Sequence, residues 1–203
     1  MAKRLLIPLL LTLLISINAC SDSPPLTKLN DGDIILALGD SLTFGTGSSP
    51  DKSYPSILQA LSKRTVINAG IPGETSDKTL LRINQLLQQH QPALVILCIG
   101  GNDILRRKNL VQTRNNIQQM IDIVQQQGSE LVLIAVPEFG LYPSAPEFYQ
   151  TLADMNKLPL DNDTIPALLR DSQYKSDTIH PNQAGYQLLA EQIFSLLQEN
   201  GAL

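Results

Sequence analysis

An α/β domain built on a parallel sheet is the fold class that this 203-residue sequence predicts. Two patterns carry the prediction: four short apolar runs rich in β-branched residues recur at roughly even spacing, and longer stretches of helical period separate them. A third pattern points to a ligand site: the first three runs each lead straight into a loop of glycines and small polar residues. Ligands of open parallel sheets bind just outside the carboxyl ends of the strands, where such loops lie.

The expected strands are Ile34–Leu38, Thr65–Ala69, Leu94–Ile99 and Leu131–Val136, each too short to stand as a helix. A fifth is expected near Leu158–Leu160. Between them, Ser53–Lys63 reads as a helix with Pro55 in its first turn, where the missing N–H costs nothing. Ser76–His90 follows, with Thr75 or Ser76 as its cap, and then Gln112–Gln127, stopped by Gly128. Asn182–Leu197 closes the domain, with Pro181 before it and Leu188, Leu189, Ile193, Leu196 and Leu197 on one side.

At 43% hydrophobic content the chain holds enough apolar material for one well-buried domain and is short for two. A formal charge of -4, with no basic run after the first few residues, argues against nucleic acid as a partner. The N-terminus is a separate object. Lys3 and Arg4 precede an uncharged run from Leu5 to Ile17, the layout of an export signal over residues 1–19 rather than of a spanning helix. The run closes on Ile17-Asn18-Ala19-Cys20, which resembles a bacterial lipobox with Cys20 as the lipidated first residue. Cleavage after Ala19 by ordinary signal peptidase is the alternative and leaves Cys20 a free thiol. With Ser21 next, the lipidated form is expected at the outer membrane facing the periplasm, and the other form as a soluble periplasmic protein. Residues 20–32, with Pro24-Pro25, read as a flexible tether, and the domain is expected over 33–203. Cys98, in "ALVILCIG", reads as a reduced core residue.

The loop after the first strand, "GDSLTFGTG", lacks the lysine of a Walker loop and the G-x-G-x-x-G spacing of a dinucleotide site. Asp40 also disfavours a phosphate there. Nucleophilic catalysis by Ser41 needs a base, and the sequence has two histidines. His90 ends a helix before Pro92, where the helix dipole favours it. His180 lies in "KSDTIHPNQAGY" with Asp177 three residues before it, a spacing that lets the carboxylate accept the imidazole Nδ1–H and leave Nε2 for a serine proton. Asp177 as a turn cap and His180 as a solvated loop residue are the bland readings of that pair. Ser41, Asn102 and the Asp177–His180 pair together, each after its own element, form a far more specific pattern.

These blocks resemble the SGNH hydrolases, the GDSL esterase/lipase family, and most of all its bacterial thioesterase/lysophospholipase/arylesterase group. The matching positions are Gly39-Asp40-Ser41-Leu42, Gly73 in "GIPGETS", Gly100-Gly101-Asn102-Asp103, and Asp177 to His180. The resemblance implies a flavodoxin-like, doubly wound three-layer α/β/α sandwich. It also implies Ser41 as nucleophile, His180 as base, Asp177 as its orienter, and an oxyanion hole made of the Ser41 and Gly73 N–H groups with the Asn102 amide. Asp40 and Asp103 have no further ligands at metal spacing, and supporting hydrogen bonds are their expected duty. No metal or cofactor is called for.

Two features depart from the group: "VPEFGLYPSAPEFYQ" after the fourth strand, where substrate-contacting loops lie, and Thr178 where glycine is common. Leu42, Phe44, Ile71, Ile104, Phe139, Leu141 and Tyr142 are placed to line an apolar groove, although such residues are more often core. The expected substrate is a small acyl or aryl ester or thioester, such as a lysophospholipid. Carbohydrate O-deacetylation is the alternative within enzymes, and a catalytically silent lipid-binding envelope lipoprotein the alternative outside them. The absence of Trp and the 4% aromatic content weigh against a sugar-stacking site.

Overall fold

The apolar run Ile34–Gly39 forms β1, an inner strand of a five-stranded sheet, in the computed structural model, which describes residues 26–203. Thr65–Gly70 (β2), Leu94–Cys98 (β3), Glu130–Ile134 (β4) and Leu160–Asp161 (β5) complete it. All pair in parallel, in the order β2-β1-β3-β4-β5. The inner strands β1, β3 and β4 are covered on both faces, which is why their sequences run apolar without alternation. The edge strand β2 is more exposed and more polar.

Helices cover both faces. Tyr54–Ser62 (α2) and Gln183–Glu199 (α8) pack together on one side, Ser76–His90 (α3) and Leu110–Gln126 (α5) on the other. Phe148–Asn156 (α6) lies beside α5, and Thr164–Arg170 (α7) beside α8. The result is a doubly wound three-layer sandwich whose strand order reverses between β1 and β3. Two single-turn helices, Ser41–Phe44 (α1) and Gly101–Leu105 (α4), sit directly after those two strands.

Small differences from the sequence expectation have local causes. α5 begins at Leu110 rather than Gln112 because the Asn109 side chain accepts from the Val111 and Gln112 amides and starts the helix early. β5 is only Leu160–Asp161, and Pro159, which has no N–H, contributes its carbonyl to Leu133 beside it. α6 begins in the last three residues of "VPEFGLYPSAPEFYQ" and runs on to Asn156, where no helix is expected from the sequence.

The second half of the expected tether is packed on the domain. Leu26 and Leu29 are buried in the core, and their amides donate to the Asn200 and Ala202 carbonyls at 2.6 and 2.9 Å. The Thr27 hydroxyl donates to Glu130 at the start of β4, and Arg64, just before β2, donates to the Leu29 carbonyl. Residues 26–30 therefore form a strap across the amino-terminal edge of the sheet, held by burying two leucines. The expected export signal, Cys20 and residues 20–25 of the tether lie outside the described residues. Among the described residues, no helix is long and apolar enough to cross a membrane. Cys98 is a buried free thiol at the end of β3.

Candidate active site

Register levels the strand ends: Gly39 of β1 stands opposite Gly70 of β2 on one side and Cys98 of β3 on the other. The three following loops therefore open at the same height, at the carboxyl edge beside the point where the strand order reverses. Ser41 starts α1 there, on the first turn beyond β1. Asp40 precedes it as N-cap, with its Oδ1 accepting the Leu42 amide at 3.0 Å.

His180 reaches Ser41 from the other end of the chain. Its Nε2 lies 3.0 Å from the Ser41 Oγ, and its Nδ1 lies 2.8 Å from the Asp177 Oδ2. The second oxygen of Asp177 accepts the Ile179 and His180 amides, both at 2.8 Å, so the carboxylate folds its own loop back beneath the imidazole. Partial burial works to raise the Asp177 pKa, but hydrogen bonds from the His180 ring and the two amides outweigh it and hold the carboxyl below its ordinary value. An ionised carboxylate on Nδ1 fixes the tautomer that leaves Nε2 free to accept. Thr178, in place of glycine, leaves this geometry intact.

The histidine loop is anchored to α8. Asn182 caps that helix by accepting the Gly185 amide and donates to the Gln173 carbonyl. Gly185 has no side chain because one would meet the Tyr174 carbonyl at 2.2 Å. The Tyr186 hydroxyl then donates to the Thr46 carbonyl at 2.8 Å, tying α8 to the loop that follows Ser41.

Asn102 lies in α4, after β3, and its Nδ2 donates to the Asp40 Oδ2 at 3.2 Å. Burial pushes the Asp40 carboxyl up to about 6, against the Leu42 amide and the Asn102 side chain, which both pull it down. Gly73, on the loop after β2, has φ +80, a conformation that costs glycine least. Among the described residues, neither the Ser41 nor the Gly73 backbone N–H has a hydrogen-bond partner. The structure thus brings Ser41, Asp177, His180, Gly73, Asn102 and Asp40 to one edge. Asp103 stands one layer behind: it accepts the Ser76 amide and hydroxyl, both at 2.8 Å, and so supplies the cap of α3 that the Thr75 side chain does not. His90 ends α3.

Of the apolar candidates, Leu42 is core, whereas Phe44, Ile71, Leu141 and Tyr142 are exposed. Sequence reasoning missed Glu74, Arg82 and Arg106. Arg82 donates to Glu74 and to the Gly39 and Ala69 carbonyls, and Arg106 donates to the Gly73 carbonyl at 2.8 Å. The available signal was Arg82 itself, three residues after the buried Thr79 and beside the buried Ile83, on the inward stripe of an amphipathic helix.

A doubly wound sheet with this serine, histidine–aspartate pair, glycine and asparagine at its switch point defines the class of the SGNH hydrolases. The chain belongs to the GDSL-like Lipase/Acylhydrolase family, whose family model matches residues 37–188. It is 33% identical over 181 residues to thioesterase 1/protease 1/lysophospholipase L1 of Escherichia coli, covering 82% of this chain and 84% of that protein. It is 32% identical over 168 residues to an arylesterase of Vibrio mimicus, covering 77% and 84%. Among solved structures, that of TesA superposes with a TM-score of 0.74 at 26% identity, covering 83% of this chain and 99% of that one. The protein is an ester hydrolase of this family.

Proposed function

We propose that the protein cleaves carboxylic esters or thioesters of apolar acyl or aryl groups through an acyl-enzyme on Ser41. The observation that carries this reading is the unbroken chain from the Ser41 Oγ to the His180 Nε2 at 3.0 Å and from the His180 Nδ1 to the Asp177 Oδ2 at 2.8 Å. His180 takes the hydroxyl proton as Ser41 attacks the acyl carbon, and Asp177 stabilises the resulting imidazolium. Negative charge then develops on the carbonyl oxygen, where the Ser41 and Gly73 N–H groups and the Asn102 amide converge. Return of the proton to the leaving alcohol or thiol completes acylation. Water, deprotonated by the same imidazole, attacks the acyl-enzyme and releases the acid and free Ser41.

The exposed Phe44, Ile71, Leu141 and Tyr142, carried on three loops at this edge, support an apolar acyl or aryl portion. The names of the relatives, a lysophospholipase and an arylesterase, point the same way. The protein acts after export, with Cys20 lipidated at the outer membrane and the domain in the periplasm. Mass analysis of the N-terminal peptide from the cell envelope tests this, and an unmodified Cys20 rejects the anchor.

The deciding experiment is hydrolysis of p-nitrophenyl esters from acetyl to palmitoyl, beside a folded Ser41→Ala control. Turnover is expected in the wild type alone, rising with acyl length beyond acetyl. Equal rates in both proteins would remove Ser41 as nucleophile, and activity confined to acetyl esters would move the reading to deacetylation.

A further inference from the structure

We infer that Arg82 is a positioning residue for the oxyanion hole, setting the separation between the loop that carries Ser41 and the loop that carries Gly73. The inference rests on the roles proposed above for those two backbone N–H groups. Arg82 lies on α3, and its side chain is 19% exposed. Its Nε donates to both carboxylate oxygens of Glu74 at 2.9 Å, and a terminal nitrogen donates to Glu74 as well. That same nitrogen donates to the Ala69 carbonyl at 2.8 Å and to the Gly39 carbonyl at 3.4 Å.

The acceptors define the function. Gly39 ends β1 two residues before Ser41, Ala69 is the penultimate residue of β2, and Glu74 immediately follows Gly73. One planar guanidinium thus fixes the carboxyl ends of two neighbouring strands and the residue beside Gly73. A lysine ammonium is a point charge on a flexible stem and lacks this fork. Glu74 is itself only 8% exposed and is held by the Thr79 hydroxyl at 2.8 Å. The Ile71 amide donates to the Gly39 carbonyl at 3.1 Å, closing the same corner by backbone alone.

Buried ion pairs add little net stability once desolvation is counted, so stability alone is a weak reason for this one. Geometry is a stronger reason. Oxyanion donors act only when they point at the position the charged oxygen will occupy, and a displacement of about 1 Å costs about 10²-fold in rate. Arg82 touches no reacting atom and acts through Gly39, Ala69 and Glu74.

The test uses the full-length protein and whichever p-nitrophenyl ester it cleaves fastest, with Arg82→Met, Arg82→Lys and Glu74→Gln beside Ser41→Ala. Arg82→Met is expected to lose about 10²-fold in kcat with KM within about threefold, and Arg82→Lys to recover only part of the loss. Inhibition by an alkyl trifluoromethyl ketone, whose serine adduct places an oxyanion in the hole, should weaken in parallel. A wild-type kcat in a variant that merely melts earlier would overturn the proposal. Should Arg82→Met fail to fold, Glu74→Gln decides: a drop of about tenfold in kcat supports the role, and an unchanged kcat rejects it. Hydrolysis that survives in Ser41→Ala would overturn the site assignment itself, and the role of Arg82 with it.

Discussion

At Asn102 a single amide group has two hydrogens and two demands on them. One is held by the Asp40 carboxylate, which leaves the other for the oxyanion in the mechanism proposed above. Replacing Asn102 with Ala should lower kcat by about 10²–10³-fold with little change in KM, read from steady-state kinetics on one ester. Asp40 carries the cost of this arrangement. Its folded pKa of about 6 lies above the ordinary carboxyl value of 3.8, so folding takes up a proton between those values. The stability tied to this group is complete below pH 3.8 and is lost as pH rises through about 6. Between pH 5 and 7.5, wild type should therefore lose about 1–2 kcal/mol relative to Asp40→Asn in urea unfolding. A difference independent of pH would show that Asp40 titrates normally.

Among the elements, α8 and the loop before it decide where the imidazole stands. Gly185→Ala drives a methyl group into the Tyr174 carbonyl, so the histidine loop must move or the first turn of α8 must open. Thermal melting and kcat should fall together in that variant, and a normal kcat would show that the loop is held without this contact. The same region shows what a sequence makes legible. Asp177 and His180 are three residues apart, so their pairing is local, and short-range spacing announces it. Strands β1, β3 and β4 announce themselves by apolar runs because they are covered on both faces. The fit of Asp103 to the α3 N-terminus, 27 residues away, depends on two loops meeting, and no local pattern contains it. Arg82 with Gly39, 43 residues apart, is hidden for the same reason. Single-turn helices α1 and α4 carry too few residues for any period to show.

For the whole molecule, the strap at residues 26–30 closes the fold by joining the two ends of the domain. Leu29→Ala removes a side chain that is 3% exposed and should lower stability by about 2–3 kcal/mol in urea unfolding, with kcat unchanged. A parallel loss of kcat would mean that the two edges of the sheet are coupled. The strap also gives the molecule a heading. It lies on the amino-terminal edge of the sheet, and a six-residue strand such as β1 carries the chain about 20 Å from there to the edge where Ser41 stands. Anything fastened upstream of Leu26 holds the domain by its back, and the mouth faces the other way.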